Sequence, residues 1–441
     1  MRILLCQSYL GGRGGEPIVF PLGISYLASM AKTRHEVYCW DPNICQNPMK
    51  ELESLIEKIN PDVVGVSLRN IDSLNSFNER SYYEPFVSMT EVIRKHAPSC
   101  NLIVGGFGFS LFAKEIMKKN PEIDIGVEFE GELAFAELLR NLDHPERVRN
   151  LIFRKEGKLF STERREWANL DSLPLPSREL FEIKKYLEIP YSIGINSNRG
   201  CGFDCIFCSI KSLNGDYCRL RSPKKVVDEI ELLVNDFGLT SFVFADELFG
   251  FPAENSREIC REIVKRKLDV NWQGAFSPAY FNKSFMEEAL RAGCTLFDFS
   301  PDGASNNSLR FLGKNFTVRE IEKTITTAKE VDGANVAYSF LYDLPERNWD
   351  QVVGLMRLVP KIMLTLKNKL RFISLTRIRI YPYSKIYEIA LAKRYIDAST
   401  DLIHPLYYRS TSSSNILNYL VYPLRTTSIL FQRLYTKAMF K

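Results

Sequence analysis

Short apolar runs alternate with amphipathic stretches along most of the chain. Runs with strand character are RILLC (2–6), HEVYCWD (35–41), DVVGVSL (62–68), NLIVGG (101–106) and IDIGVEF (123–129). Between them, segments such as PLGISYLASMAKT and PMKELESLIEKIN carry apolar residues at helical spacing. This alternation predicts βαβ units, and hence a doubly wound α/β domain over residues 1–145 with helices on both faces of a parallel sheet. A short β-rich stretch, RNLIFRKEGKLFS, follows. Pro174 and Pro176 in NLDSLPLPSRELF then mark a linker, expected over 146–188. A second alternation opens near residue 190 with YSIGINS, SFVFAD, DVNWQGAF, TLFDFSPD, NVAYSFLYDL and LTRIRIYPY as strands. Six such units predict a partial parallel (βα)6 barrel over 189–398. A tail over 399–441 is aromatic and basic.

Composition narrows the field. The chain has 441 residues, of which 45% are apolar and 12% aromatic, enough for more than one core. A formal charge of +5, without a concentrated basic patch, gives no footprint for nucleic acid, so no nucleic-acid partner is expected. No apolar stretch approaches the ~20 residues that span a bilayer. MRILLC reads as a first strand and not as a signal peptide. A cytoplasmic protein is therefore expected, with its ten cysteines as thiols or metal ligands.

Cys201, Cys205 and Cys208 stand together in RGCGFDCIFCSI. A structural zinc site wants four N or S ligands, and the sequence holds no second CxxC or paired histidines to complete one. A thioredoxin-type motif would leave the third cysteine unused. Three thiolates on one loop instead suit three irons of a [4Fe-4S] cluster and leave the fourth without a protein ligand. That open iron is a place for a chelating small molecule. Gly200, Gly202 and Asp204 keep the segment a loop, which weighs against three merely buried structural cysteines.

C-x3-C-x2-C after the first barrel strand, with the aromatic Phe207 before the last cysteine, resembles the radical SAM superfamily. The resemblance implies that the open iron chelates S-adenosylmethionine (SAM), whose reductive cleavage gives a 5′-deoxyadenosyl radical, with electrons from an external donor of flavodoxin or ferredoxin type. It extends over about 190–395. FVFADELFG is similar to the acidic segment after the second strand, making Asp246 or Glu247 a candidate for the SAM ammonium. FSPDGASNNSLRFLGKNFT resembles the segment after the fourth strand, which puts Ser300, Asp302 and Ser305 near the ribose or the methionine carboxylate. RIYPYSKIY matches a PYPGT-type segment, with Tyr381 toward the adenine. FLYDLPERN stands where the family often has GLPGE, and no role is carried onto Asp343 or Arg347. Each of these polar residues also reads as a strand-end cap or turn former, since loops at strand ends of any α/β barrel are polar.

PLGISYLASMAKTRHEV, PDVVGVSL, IVGGFGFS and FEGELAFAELL together resemble the Rossmann-like cobalamin-binding domain that precedes the barrel in one large radical SAM class. Ligands of doubly wound sheets lie across the carboxyl ends of the strands. Gly105, Gly106, Gly108, Ser110, Glu130 and Gly131 are the candidate cobalamin contacts, with the glycines expected to let a cofactor tail pass close to the backbone. D-x-H-x-x-G is absent, so the resemblance implies binding without a histidine ligand and points to Arg69 or Asn70, in SLRNIDS, under the corrin. The implied activity is methyl transfer from methylcobalamin to an unactivated carbon, or to phosphorus, of a small-molecule or lipid substrate. Two alternatives stand beside it: a cobalamin-dependent cyclase or rearrangement enzyme, and a methylthiotransferase acting on RNA or protein, which would need three cysteines in the first domain. The tail, interrupted by Pro423, has apolar residues at roughly helical spacing between basic ones. It is expected either to close the open end of the barrel or to make peripheral membrane contact.

Overall fold

The computed structural model describes residues 1–12, 17–345 and 348–409. It divides into two compact units, the first holding 1–74, 79–192 and 403–405, the second 75–78, 193–402 and the described residues from 406.

The first unit is built on a seven-stranded sheet in the order β2-β1-β3-β4-β5-β6-β7. Its strands are β1 (Arg2–Gln7), β2 (Glu36–Trp40), β3 (Val63–Ser67), β4 (Asn101–Gly105), β5 (Ile125–Val127), β6 (Leu151–Lys155) and β7 (Lys158–Ser161). The first five are parallel, and β6 and β7 add an antiparallel hairpin at one edge. Ile3, Leu4, Leu5, Val63, Val64, Leu102 and Val104 are fully buried, as continuous apolar strands between two helical layers must be. The stretch 146–188, expected as a linker, lies within this unit. Its apolar residues are consumed locally: Phe20 meets Phe181 and Tyr186, each at a ring separation of 5.1 Å, and the Tyr186 hydroxyl donates to Asp41 at 2.5 Å.

The second unit holds β8 (Gly194–Ile195), a two-stranded ribbon of β9 (Asn198–Arg199) and β10 (Arg219–Leu220), then β11 (Ser241–Phe244), β12 (Asn271–Phe276), β13 (Cys294–Asp302), β14 (Val336–Leu341) and β15 (Leu370–Thr376). Six of them form a parallel sheet in sequential order, β8-β11-β12-β13-β14-β15, whose end strands do not pair with each other. This is the partial barrel. Phe244, Phe249, Trp272, Phe276, Phe297 and Phe299 fill the layer between sheet and helices. The last strand lies earlier than LTRIRIYPY predicts. β14 stops at Leu341, so beyond Thr376 the chain has no parallel partner; it pairs instead with 406–408, through Ile380 N–H to Leu406 C=O and Tyr408 N–H to Ile378 C=O. Arg377 and Arg379, within that stretch, are buried. Arg379 donates to the carbonyls of Ile380 and Leu402, each at 2.6 Å.

No helix among the described residues is long and apolar enough to cross a membrane. Of the tail, residues 410–441 lie outside the described residues, as does Arg347.

Candidate functional site

The three cysteines follow β9 on a loop held from several sides. Gly200 and Gly313 both have left-handed backbone, with φ of +84° and +76°. A Cβ on Gly200 would stand 2.4 Å from the Tyr217 carbonyl oxygen, and one on Gly313 2.2 Å from that of Asp204. Only glycine lets these segments approach so closely. Backbone bonds finish the clamp: Cys201 N–H to Gly215 C=O, Ile206 N–H to Leu312 C=O and Ile386 N–H to Ile206 C=O. Ser209 Oγ donates to the Pro382 carbonyl at 2.8 Å. Gly313→Ala is expected to lower stability by about 1–3 kcal/mol and reduce the iron retained per chain, which denaturant titration and an iron assay would check.

Burial pushes all three thiols above their ordinary range, Cys208 to about 12. Backbone donors work the other way: Phe203 N–H bonds Cys201, and Ile210 N–H lies 3.4 Å from Cys208 Sγ. Lys314 also bonds Cys205. Donors aimed at sulfur suit thiolates bound to iron, whose charge they offset. Among the described residues no three His, Cys, Asp or Glu side chains converge on a single metal ion; one thiolate per iron asks for a wider spacing. The donor set fits the cluster.

Asp246 and Glu247 end β11 with different surroundings. Both Asp246 oxygens are taken, by Ser197 N–H at 2.8 Å, Ser197 Oγ at 2.5 Å and Asn198 N–H at 3.2 Å. Burial raises its carboxyl to about 6 against the pull of these donors. It ties down the turn between β8 and β9, which explains why YSIGINS yields a strand of only two residues. Glu247 is half-buried, bonded at one oxygen by Asn214 at 2.8 Å, and close enough to raise the thiols of Cys201 and Cys208. Burial raises the Glu247 carboxyl, and Asn214, Arg199 and Arg219 pull it back.

Asp302 pairs with Lys314 at 2.5 Å. Burial opposes the charge on Lys314, but Asp302 and Cys205 more than offset it and hold the ammonium protonated. The same ammonium lies 5.4 Å from the centre of the Phe207 ring and donates to the Ser300 carbonyl. Ser305 caps the helix Asn306–Phe311, in a reciprocal capping box with Ser308. Tyr381 lies under the Arg379 guanidinium at 4.6 Å. Asp343 is buried beside Arg377, at 3.4 Å. Lys314 and Asn214 escaped the sequence reading. A single Lys or Asn in a loop has no spacing to betray it, although Gly313 before Lys314 marked a tight turn.

In the first unit, Arg69 and Asn70 are exposed at the carboxyl end of β3. Ser8, at the end of β1, has a buried hydroxyl with no partner among the described residues. Both lie where a doubly wound sheet receives its ligand, so the residues fit a polar cofactor there. Two of the glycines pack closely on the chain's own backbone. A Cβ on Gly106 would stand 2.6 Å from the Leu68 carbonyl oxygen, and one on Gly108 2.7 Å from the Asn70 carbonyl carbon. Their open side is filled by the chain's own 68–71 loop. Ser110 Oγ donates to Gly106 C=O and accepts from Phe129 N–H, each at 2.9 Å. Glu130 accepts from Ala168 N–H at 3.3 Å, and Gly131 packs toward Leu27. Gly105 lies at the end of β4, its missing side chain facing the Val127 carbonyl. Of these, Gly106 and Gly108 lie against the loop that carries Arg69 and Asn70.

Comparison with known proteins agrees with this division. The B12 binding domain model matches residues 15–139, and the Radical SAM superfamily model matches residues 195–359. An uncharacterized methyltransferase of Pyrococcus horikoshii is 25% identical over 378 residues, 84% of this chain and 78% of that protein. The anaerobic magnesium-protoporphyrin IX monomethyl ester cyclase of Cereibacter sphaeroides is 29% identical over 256 residues, 55% of this chain and 42% of that protein. The radical SAM methyltransferase TsrM from Kitasatospora setae, solved with cobalamin and a [4Fe-4S] cluster bound, superposes with a TM-score of 0.76 at 18% identity, covering 89% of this chain and 78% of that one. The two domains imply a [4Fe-4S] cluster, SAM and cobalamin. With its thiol loop on a partial barrel and a B12-binding domain ahead of it, the chain joins a B12 binding domain to a Radical SAM superfamily domain and is a radical SAM enzyme.

Proposed function

We propose that the chain is a cobalamin-dependent methyltransferase acting on an unactivated carbon, or in rarer cases on phosphorus, of a small-molecule or lipid substrate. The observation that carries this reading is a three-thiol loop, short of one ligand for a cluster, in a chain that also holds a separate unit matched to B12 binding. When bound, the cluster with SAM supplies hydrogen abstraction and cobalamin supplies a methyl carrier.

The chain's own residues bind and orient. Cys201, Cys205 and Cys208 would hold the cluster. Glu247, with one oxygen bonded by Asn214, receives the SAM ammonium, while Asp246 acts as a positioning residue behind it. Lys314, fixed by Asp302, sets a positive charge beside the loop, where it suits the methionine carboxylate. Tyr381, braced by Arg379, offers a ring to the adenine. Arg69 and Asn70, exposed after β3, would contact cobalamin when it is bound. Electrons come from an external flavodoxin- or ferredoxin-type donor.

A second reading, cyclisation or rearrangement without methyl transfer, is favoured by the 29% identity to the cyclase. SAM with a deuterated methyl group separates the two. A labelled product, with 5′-deoxyadenosine and S-adenosylhomocysteine formed in near-equal amounts, is the expected result. 5′-Deoxyadenosine alone, beside an unmethylated rearranged product, would leave the cyclase reading in place.

A further inference from the structure

The sheet of the second unit holds a carboxylate that neither the cysteine loop nor its neighbouring turns use. On β13, Phe297 and Phe299 are fully buried and pack on Phe276 and Phe281, which in turn reach Phe285 of the helix Lys283–Arg291. Successive side chains of a strand point to opposite faces. Asp298, between those two phenylalanines, therefore points away from the helices onto the inner face of the partial barrel.

Its in-register neighbours there are Ala275 on β12 and Ala337 on β14. Neither can donate a hydrogen bond. One strand further, Phe372 pairs with Ala337, and the next inward-facing pair on β14 and β15 is Ser339 with Ser374. Ser300 follows Asp298 on its own strand. Asp298 Oδ1 is buried without a partner among the described residues. Burial raises its carboxyl to about 6, and Asp302, of like charge, adds to the shift. The residue as a whole is half-buried, but a buried carboxylate oxygen is normally bonded, and one left without a donor costs stability. Its in-register neighbours present only methyl groups, and by register and strand alternation Ser300, Ser339, Ser374 and Phe372 share the same inner face.

We infer that Asp298 anchors the substrate, and that the inner face of the barrel takes a polar molecule presenting a protonated amine to this carboxylate. Calling the ligand a substrate rests on the methyl-transfer reading. A cationic nitrogen supplies both the missing hydrogen bond and an opposite charge, whereas a neutral hydroxyl supplies only the first. A hydrocarbon supplies neither and would leave the buried oxygen unpaired. Ser300, Ser339 and Ser374 suit further polar groups of the same molecule, and Phe372 suits an apolar or aromatic portion.

The test is a titration of the full-length, cluster-reconstituted protein with phenethylammonium and with neutral 2-phenylethanol, repeated with hydroxocobalamin present. The amine should bind about tenfold more tightly or better, Asp298→Asn should erase that preference, and Asp298→Glu should retain it. Melting of the Asp298→Asn protein at or above the wild-type temperature is also expected, because an unpaired buried charge is removed. Equal binding of amine and alcohol, a preference that survives Asp298→Asn, or a variant that melts lower would overturn the inference. Wild-type protein that binds cobalamin yet shows no preference for the amine sinks this inference alone; wild-type protein that keeps the preference but binds no cobalamin sinks the methyl-transfer reading alone.

Discussion

Protein in which Cys201, Cys205 and Cys208 are all replaced by alanine is expected to leave anaerobic reconstitution with no [4Fe-4S] cluster and no conversion of SAM to 5′-deoxyadenosine. A methyl group has no lone pair to give iron, and the donors that surround the thiols, Phe203 N–H, Ile210 N–H and Lys314, would be left facing empty space. Other cysteines are poorly placed to take over. Cys6, Cys260 and Cys294 are packed in the cores, with exposures of 0%, 1% and 3%, and Cys45 is spent on the Asp41 carbonyl. Binding iron there would mean opening a core, and burial already pushes those core thiols far above their ordinary range. Iron and sulfide content, the visible spectrum and EPR of the reduced sample measure the outcome. A full cluster in the triple variant would move the site elsewhere in the chain.

The two α/β units were legible in the sequence because each repeats one physical signal, a buried apolar strand followed by a one-sided helix. The cysteine loop was legible because its spacing is local. What escaped depended on partners far away in sequence. RIRI alternates like a strand, yet the strand ends at Thr376, and only the length of β14 decides that. Pro174 and Pro176 announced a linker, but Phe181 and Tyr186 nearby are partners of Phe20, a pairing no local pattern reveals. Gly106 and Gly108 leave space where each lacks a Cβ. That space goes to the 68–71 loop, and composition alone cannot tell a cradle for a ligand from a cradle for the chain's own backbone. Asp298 sat in TLFDFSPD as an unremarkable polar position in a strand. Its interest comes from what its neighbours on β12 and β14 fail to offer.

Asp246 and Glu247 were adjacent candidates for one task, and substitution of the first separates fold from chemistry. Asp246→Ala leaves the Ser197 and Asn198 N–H groups buried and unpaired, which should cost about 3–5 kcal/mol. It should also loosen the turn that leads into Cys201 and lower the iron retained per chain. Asp246→Asn behaves differently: its amide oxygen still accepts from both N–H groups, and its NH2 donates to Ser197 Oγ. The acid dependence follows from the raised carboxyl. With a folded value of about 6 against an ordinary ~3.9, the native state binds this proton more tightly than the unfolded chain does. Its contribution is therefore fully present below about pH 4 and is lost as pH rises through about 6. Relative to wild type, Asp246→Asn should be about equal at pH 7 or more stable by up to ~2–3 kcal/mol, and that advantage should vanish toward pH 4. Taking the difference between the two proteins isolates this carboxyl from Asp298, which titrates in the same range. Denaturant titrations across pH, together with iron content and SAM cleavage, give the answer. An Asp246→Asn protein with a complete cluster and wild-type stability that nevertheless fails to bind SAM would show that the charge itself meets the SAM ammonium, and would transfer to Asp246 the role proposed for Glu247.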